Sequence, residues 1–250
     1  SYIANKREGL YQTYYENGQL LQEGVYANDL LNGQVRIYYD SGQLKAEGFY
    51  EADQPDGFYR TYYENGQEQE AWSYRKGVLD GDYVIYHENG QVKAKGAYLD
   101  GKKDGPYQMY DEQGQLEQEG VYQNDGLEGD VIIYDANGLV KQKTQFHNGL
   151  MHGPFVMYYE NGNIQQDGSY HEGLRDGAYT MYFEDGTVYA SGFYKDGKRD
   201  GPFQLHDQTG RLRQEGTYRD GNLDGLLTVY DEDGNVVETV MFKEGVKDEG

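Results

Sequence analysis

The chain has 250 residues, 44 acidic against 22 basic side chains for a net charge of −22, and no cysteine. The missing cysteines exclude disulfides, thiolate nucleophiles and zinc–thiolate sites, and the charge disfavours nucleic acid and anionic membrane surfaces, which are held by Lys and Arg clusters. Mean hydropathy is −0.96, yet 28 tyrosines and eight phenylalanines separate the chain from disordered sequences, which are poor in aromatics. No apolar stretch reaches the roughly 18 residues a spanning helix needs.

The first predicted element begins at Gly9, where GLYQTYYENGQLLQEGVY reads as strand, turn, strand. The pattern returns at Gly33, Gly57, Gly81, Gly105, Gly129, Gly153, Gly177, Gly201 and Gly225, always 24 residues on and never broken by an insertion. A fixed period of this kind marks a repeat architecture, in which each unit packs on its neighbours. Residues 1–250 therefore read as one repeat domain. With the first glycine as position zero, position nine is again glycine in every repeat, from Gly18 to Gly234, and follows Asn, Asp, Ser, Gln or Thr. Asn-Gly and Asp-Gly between strand-like runs signal a hairpin, because both central residues of a type I′ turn take φ > 0. A second turn, such as KDGKRDG at Lys195–Gly201, leads into the next hairpin.

A two-residue turn pairs position six with eleven, four with thirteen and two with fifteen. Position two is large and apolar throughout, and fifteen is Gly in seven repeats, so an aromatic ring is expected over each strand glycine. Positions three, five, twelve and fourteen fall on the other face, which is mostly polar. A three-residue turn with a bulge at the glycine would slip the pairing by one and carry position five to the glycine face; the polarity of twelve and fourteen favours the first register. No segment shows 3.6-residue apolar spacing free of glycine. The expected fold is all-β: an elongated, curved, single antiparallel sheet, a β-hairpin solenoid of about ten repeats, roughly 95 Å long at about 4.8 Å per strand.

The stretches GLYQTYYENGQLLQEGVY (Gly9–Tyr26), GPFVMYYENGNIQQDGSYHEG (Gly153–Gly173) and GAYTMYFEDGTVYASGFYKDG (Gly177–Gly197) resemble the MORN-type repeat. More closely, they resemble the 24-residue variant of bacterial YwqK-like antitoxins. That resemblance implies a non-catalytic protein that binds and neutralises a cognate toxin or secreted effector. Trp72, Thr144 and Val240 depart from the pattern where Gly is expected at position fifteen, and Asp29, Asp53 and Asp125 replace a loop glycine. These departures put the third, sixth and last repeats in question as regular members.

No chemistry stands out on this scaffold. His147, His152 and His171 are spaced so that adjacent hairpins bring them near one another, and His87 and His206 stand apart. Each occupies a variable slot, and no metal site is expected. The paired Asp-Gly loops at Asp100–Gly105, Asp196–Gly201 and Asp220–Gly225 are accounted for by turn chemistry rather than calcium. No cofactor or catalytic residue is expected, since a catalytic carboxylate pair needs one unusual environment. The candidate binding residues are the position-five column Tyr14, Tyr38, Tyr62, Tyr86, Tyr110, Tyr134, Tyr158 and Tyr182, with Trp72, the sole Trp. Tyr and Trp give large contact area at low entropic cost; the bland alternative is that they pack only on each other and on Lys stems.

The expected partner is a protein toxin or effector carrying a basic patch, steered by the acidic surface. No nucleic acid is expected, and no membrane except through an N-terminal anchor absent from this sequence. A lipid-associated scaffold and a carbohydrate-binding module are the rival readings. The chain opens inside a repeat at Ser1 without an initiator Met. The periplasm, after removal of a signal, and the cytoplasm both stand as compartments, and the oligomeric state is open.

Overall fold

The computed structural model describes residues 2–3 and 6–248; Ser1 lies outside them. The protein is all-β, with no helix among the described residues. It divides into two compact units, 1–125 and 126–250. In each unit the strands follow one another in chain order across an antiparallel sheet, and each contacts its chain neighbours. The ladder of the first unit starts with Gly9–Tyr14, which pairs with Leu20–Ala27. Tyr2–Ile3 pairs with Lys6–Arg7 in a separate two-stranded ladder.

Ten hairpins form, one per 24-residue period, and all share one register. In the first, Gly9 faces Tyr26, Tyr11 faces Gly24 and Thr13 faces Gln22. Positions two with fifteen and four with thirteen thus pair as their alternation demands. The tip differs from expectation. Asn17 is not among the residues with positive φ, and Gly18 alone takes φ 85°. Gly18 N–H donates to Tyr15 O (3.0 Å) and Tyr15 N–H to Gln19 O (2.8 Å), enclosing a three-residue loop with the glycine as its bulge. The asparagine itself holds this form: its Oδ1 accepts from Gln19 N–H at 2.9 Å, and its Nδ2 donates to Asp40 O at 3.0 Å on the next hairpin. The longer loop slips the pairing by one, so Tyr14 faces Leu20, and an extra residue before the Thr13–Gln22 pair restores it. The two irregularities cancel, which keeps position five on the polar face.

The two-residue mirror turn sits instead between hairpins. Asp100 and Gly101 take φ 48° and 84°, and Leu99 pairs with Lys102 across them. Beyond that turn the register shifts again before Ala94 meets Met109. The position-zero glycine absorbs the change: Gly105 has φ 99°, a region closed to most side chains. Where Asp replaces the loop glycine it compensates by bonding backward. Asp29, Asp53 and Asp125 take φ 75°, 66° and 71°. Their Oδ1 atoms accept from the N–H groups of Arg7, Leu31 and Lys103 at 2.8, 2.6 and 2.8 Å.

The core lies within the sheet face rather than between two layers. The position-two ring lies flat over the glycine opposite it: a Cβ at Gly24 would stand 2.7 Å from Tyr11 Cε1, and one at Gly168 2.7 Å from Phe155 Cε1. The same ring meets the position-seventeen ring, as in Tyr107–Tyr122 (4.8 Å) and Phe203–Tyr218 (4.8 Å). Burial is deep but not total: Val35, Tyr107, Val131 and Phe155 are 3–5% exposed, and among the described residues no large side chain is fully buried. Removing such rings from water is the main favourable term each repeat supplies.

Candidate binding face

On the opposite face, hydrogen bonds tie successive hairpins together through the tyrosine column. Tyr38 Oη donates to Glu23 Oε1 at 2.9 Å and Tyr62 Oη to Glu47 Oε1 at 2.9 Å. Tyr182 and Tyr230 do the same to Asp167 Oδ2 (2.8 Å) and Glu215 Oε1 (2.7 Å). The carboxylates accept a second bond from glutamine: Gln12 Nε2 to Glu23 (3.1 Å), Gln108 Nε2 to Glu119 (3.0 Å). Arg36 adds charge between two rungs, 3.6 Å from both Glu23 and Glu47. Burial first, and then the carboxylate each faces, push the Tyr38 and Tyr62 phenols above their ordinary pKa. The bonds from Gln12 and Tyr38 hold the Glu23 carboxyl below its own. Tyr14 and Tyr110 donate within their own repeat, to Gln12 and Gln108. Tyr86, Tyr134 and Tyr158 share the column's register, opposite Val92, Val140 and Ile164. Apart from Tyr14, which is 57% exposed, the column is half-buried. These rings are held in place, yet keep an accessible edge.

Beside the column in each unit lies an apolar stripe, interrupted by residues such as Gln34, Asp82, Asp130 and Gln145, that the pattern reading missed. Positions one and sixteen pair on the same face and carry Leu10 with Val25, Leu226 with Met241, and Phe49 and Phe58, whose rings meet edge-on at 6.0 Å. All are exposed, from 37% at Phe58 to 61% at Leu10. Alternation alone places these slots on the polar face, so large apolar residues there are the signal that would have found the stripe. In the second unit it opens into a shallow cavity of about 660 Å³ with Ala178, Phe193, Pro202 and Leu226 on its floor. Thr180, Ser191 and Thr228, short side chains in slots that hold Arg36, Glu47 and Arg60 in the second and third repeats, also line it.

Trp72 is not part of this face. It faces Tyr59 across its hairpin and stacks on the Tyr83 ring (5.2 Å, 19°) on the packed side, with Nε1 donating to Glu70 Oε2 at 3.0 Å. The structure thus separates it from the tyrosines with which sequence reasoning had grouped it. Thr144, in the corresponding slot, is 3% exposed and its Oγ1 accepts from Gln142. His152 lies between His147 (6.0 Å) and His171 (5.1 Å), and His147 pairs with Glu128 at 2.9 Å. Among the described residues no group of three His, Asp or Glu has metal-holding geometry.

Residues 7–28, 31–52, 79–100, 103–124, 151–172, 175–196 and 223–244 match the MORN repeat variant, and together cover more than half of the chain. The chain belongs to the MORN-repeat family. Each matched segment starts two residues before a position-zero glycine and ends on the first residue of the mirror turn. The third, sixth and ninth repeats fall between the matches. The first two of these are the repeats of Trp72 and Thr144, and the third carries His206 in the tyrosine slot; the last repeat, with Val240, is matched. All nonetheless keep the hairpin register, with Tyr59 facing Trp72, Val131 facing Thr144 and Phe203 facing Gly216. No curated protein matches the chain. MORN repeats suggest a repeat-based scaffold for binding.

Proposed function

We propose that this MORN-repeat protein is a non-catalytic binding protein, a bacterial antitoxin or immunity protein that occludes the active or membrane-engaging surface of a toxin or secreted effector. One observation carries the reading: tyrosines locked to carboxylates run beside an exposed apolar stripe. Ordered aromatic edges bind at little entropic cost, because their rotamers are set before the partner arrives. The net charge of −22 supports a partner with a basic surface, whose encounter it would speed at low salt. The structural role of the ladder, fastening hairpin to hairpin, is compatible with this use, since the rings keep one edge free.

The test is co-expression with the product of the neighbouring gene. Growth should be restored, and the two proteins should co-elute as a defined complex. The paired change Phe193→Asp and Leu226→Asp should weaken the complex by about 30-fold or more, the scale of a lost hot spot, with an unchanged strand spectrum in circular dichroism. Toxicity that persists with no complex formed would rule the reading out.

A further inference from the structure

The packed face of the second unit carries two arginines without a carboxylate partner. Arg175 lies over the rings of Phe155 (5.5 Å) and Tyr194 (5.4 Å), and Arg199 over Tyr218 (5.3 Å), whose hydroxyl its Nη1 reaches at 3.3 Å. Both guanidiniums face the Tyr194 hydroxyl, and Arg175 also faces that of Tyr170. Among the described residues no carboxylate lies within 4.0 Å of either. The aspartates next to them in sequence are turned away: Asp176 and Asp200 accept the backbone N–H groups of Asp196 (3.2 Å) and Asp220 (3.0 Å) at the following turns. By contrast Arg75 is neutralised by Asp80 and Asp100, and Arg219 by Asp224. Arg199 is exposed and Arg175 half-buried, so each keeps donors open to solvent. Burial alone would raise the Tyr194 phenol, but the two guanidiniums outweigh it and its pKa falls below the ordinary value.

We infer that Arg175 and Arg199, aligned by Tyr170, Tyr194 and Tyr218, form a binding site for a single oxyanion, a carboxylate or a phosphomonoester. A guanidinium fork matches either group with two parallel bonds, and the phenols supply further donors. The charge of the whole chain selects among anions. A net −22 repels polyanions such as nucleic acid or an acidic membrane, and admits one anionic group on an otherwise neutral or basic ligand. The site lies on the glycine-and-ring face, apart from the tyrosine column, and does not depend on the antitoxin reading.

The experiment follows arginine Nε–Hε resonances of the full chain at constant ionic strength, adding inorganic phosphate in one arm and N-acetylglutamate in the other, with chloride as the control. Arg175 and Arg199 should shift saturably, while Arg75 and Arg219 stay still. Response in one arm alone identifies which oxyanion the site takes. The change R199K, which retains charge but removes the fork, should weaken the response at least several-fold with the hairpin resonances in place. Equal shifts at all arginines, or none at Arg175 and Arg199, would overturn the assignment.

Discussion

At the scale of single residues, the repeat is governed by where the backbone must turn left-handed. Among the described residues thirteen non-glycine residues take positive φ, all of them at the turns that follow a hairpin. Asp53 shows how such a residue is tolerated: its conformational cost is offset by the bond from Leu31 N–H to its own carboxylate. Asp53→Gly should be close to neutral, because it gives up that bond but relieves the φ of 66°. Asp53→Ala gives up the bond and keeps the strain, and should cost about 1–2 kcal/mol. The shift in urea midpoint decides between them, and a glycine variant weaker than the alanine one would refute this account. The two turns also show what composition alone leaves undecided. Asn-Gly at the tip and Asp-Gly between hairpins look alike, yet only the second forms the mirror turn. The side chain of Asn17 is committed to Gln19 N–H and Asp40 O, which holds its backbone out of the left-handed region.

At the scale of the hairpin, stability comes from a ring laid over a glycine and closed by a second ring. Trp72 breaks the glycine rule without breaking the hairpin, because it exchanges one such contact for another, stacking on Tyr83 and lying 6.1 Å from Tyr98. Restoring the rule by Trp72→Gly should therefore destabilise the protein, by about 2 kcal/mol for a half-buried indole. Trp72→Phe should recover most of that. Chemical denaturation followed by tyrosine fluorescence provides the comparison, and a glycine variant as stable as the parent would show the stack to be idle. Pairing at positions two, four, thirteen and fifteen was legible from alternation, since one face had to be apolar. The bulge beside position five was not, because it corrects for a loop one residue longer than the dipeptide implies.

At the scale of the whole molecule, the packed tyrosines predict a limit to stability at high pH. Tyr50, Tyr59, Tyr83, Tyr107 and Tyr179 are all raised above the ordinary phenol value, burial being the largest cause in each. In the unfolded chain these groups ionise near pH 10. Above that pH the unfolded form releases protons that the folded form still binds, so stability is intact below about pH 10 and declines as pH rises through the folded values. Tyr194, whose pKa is lowered, opposes the trend in its own repeat. Melting temperature measured from pH 7 to 12 should hold level and then fall steeply beyond about pH 10. A flat profile to pH 12 would mean the rings are not excluded from water as described.

The period, the hairpins, the all-β class and the apolar face were readable from the chain alone, because a 24-residue spacing of glycines and alternating side chains leaves the backbone few other arrangements. The position-five tyrosines could be picked out by the same count. Their bonds to Glu23, Glu47 and Asp167, the stacking of Trp72 on Tyr83, and the pairing of Arg175 and Arg199 around Tyr194 could not. Each depends on which side chains of neighbouring strands come within reach, 15 residues apart for Tyr38 and Glu23 and 11 for Trp72 and Tyr83, and that is set by the bulges and turns that stack one strand on the next.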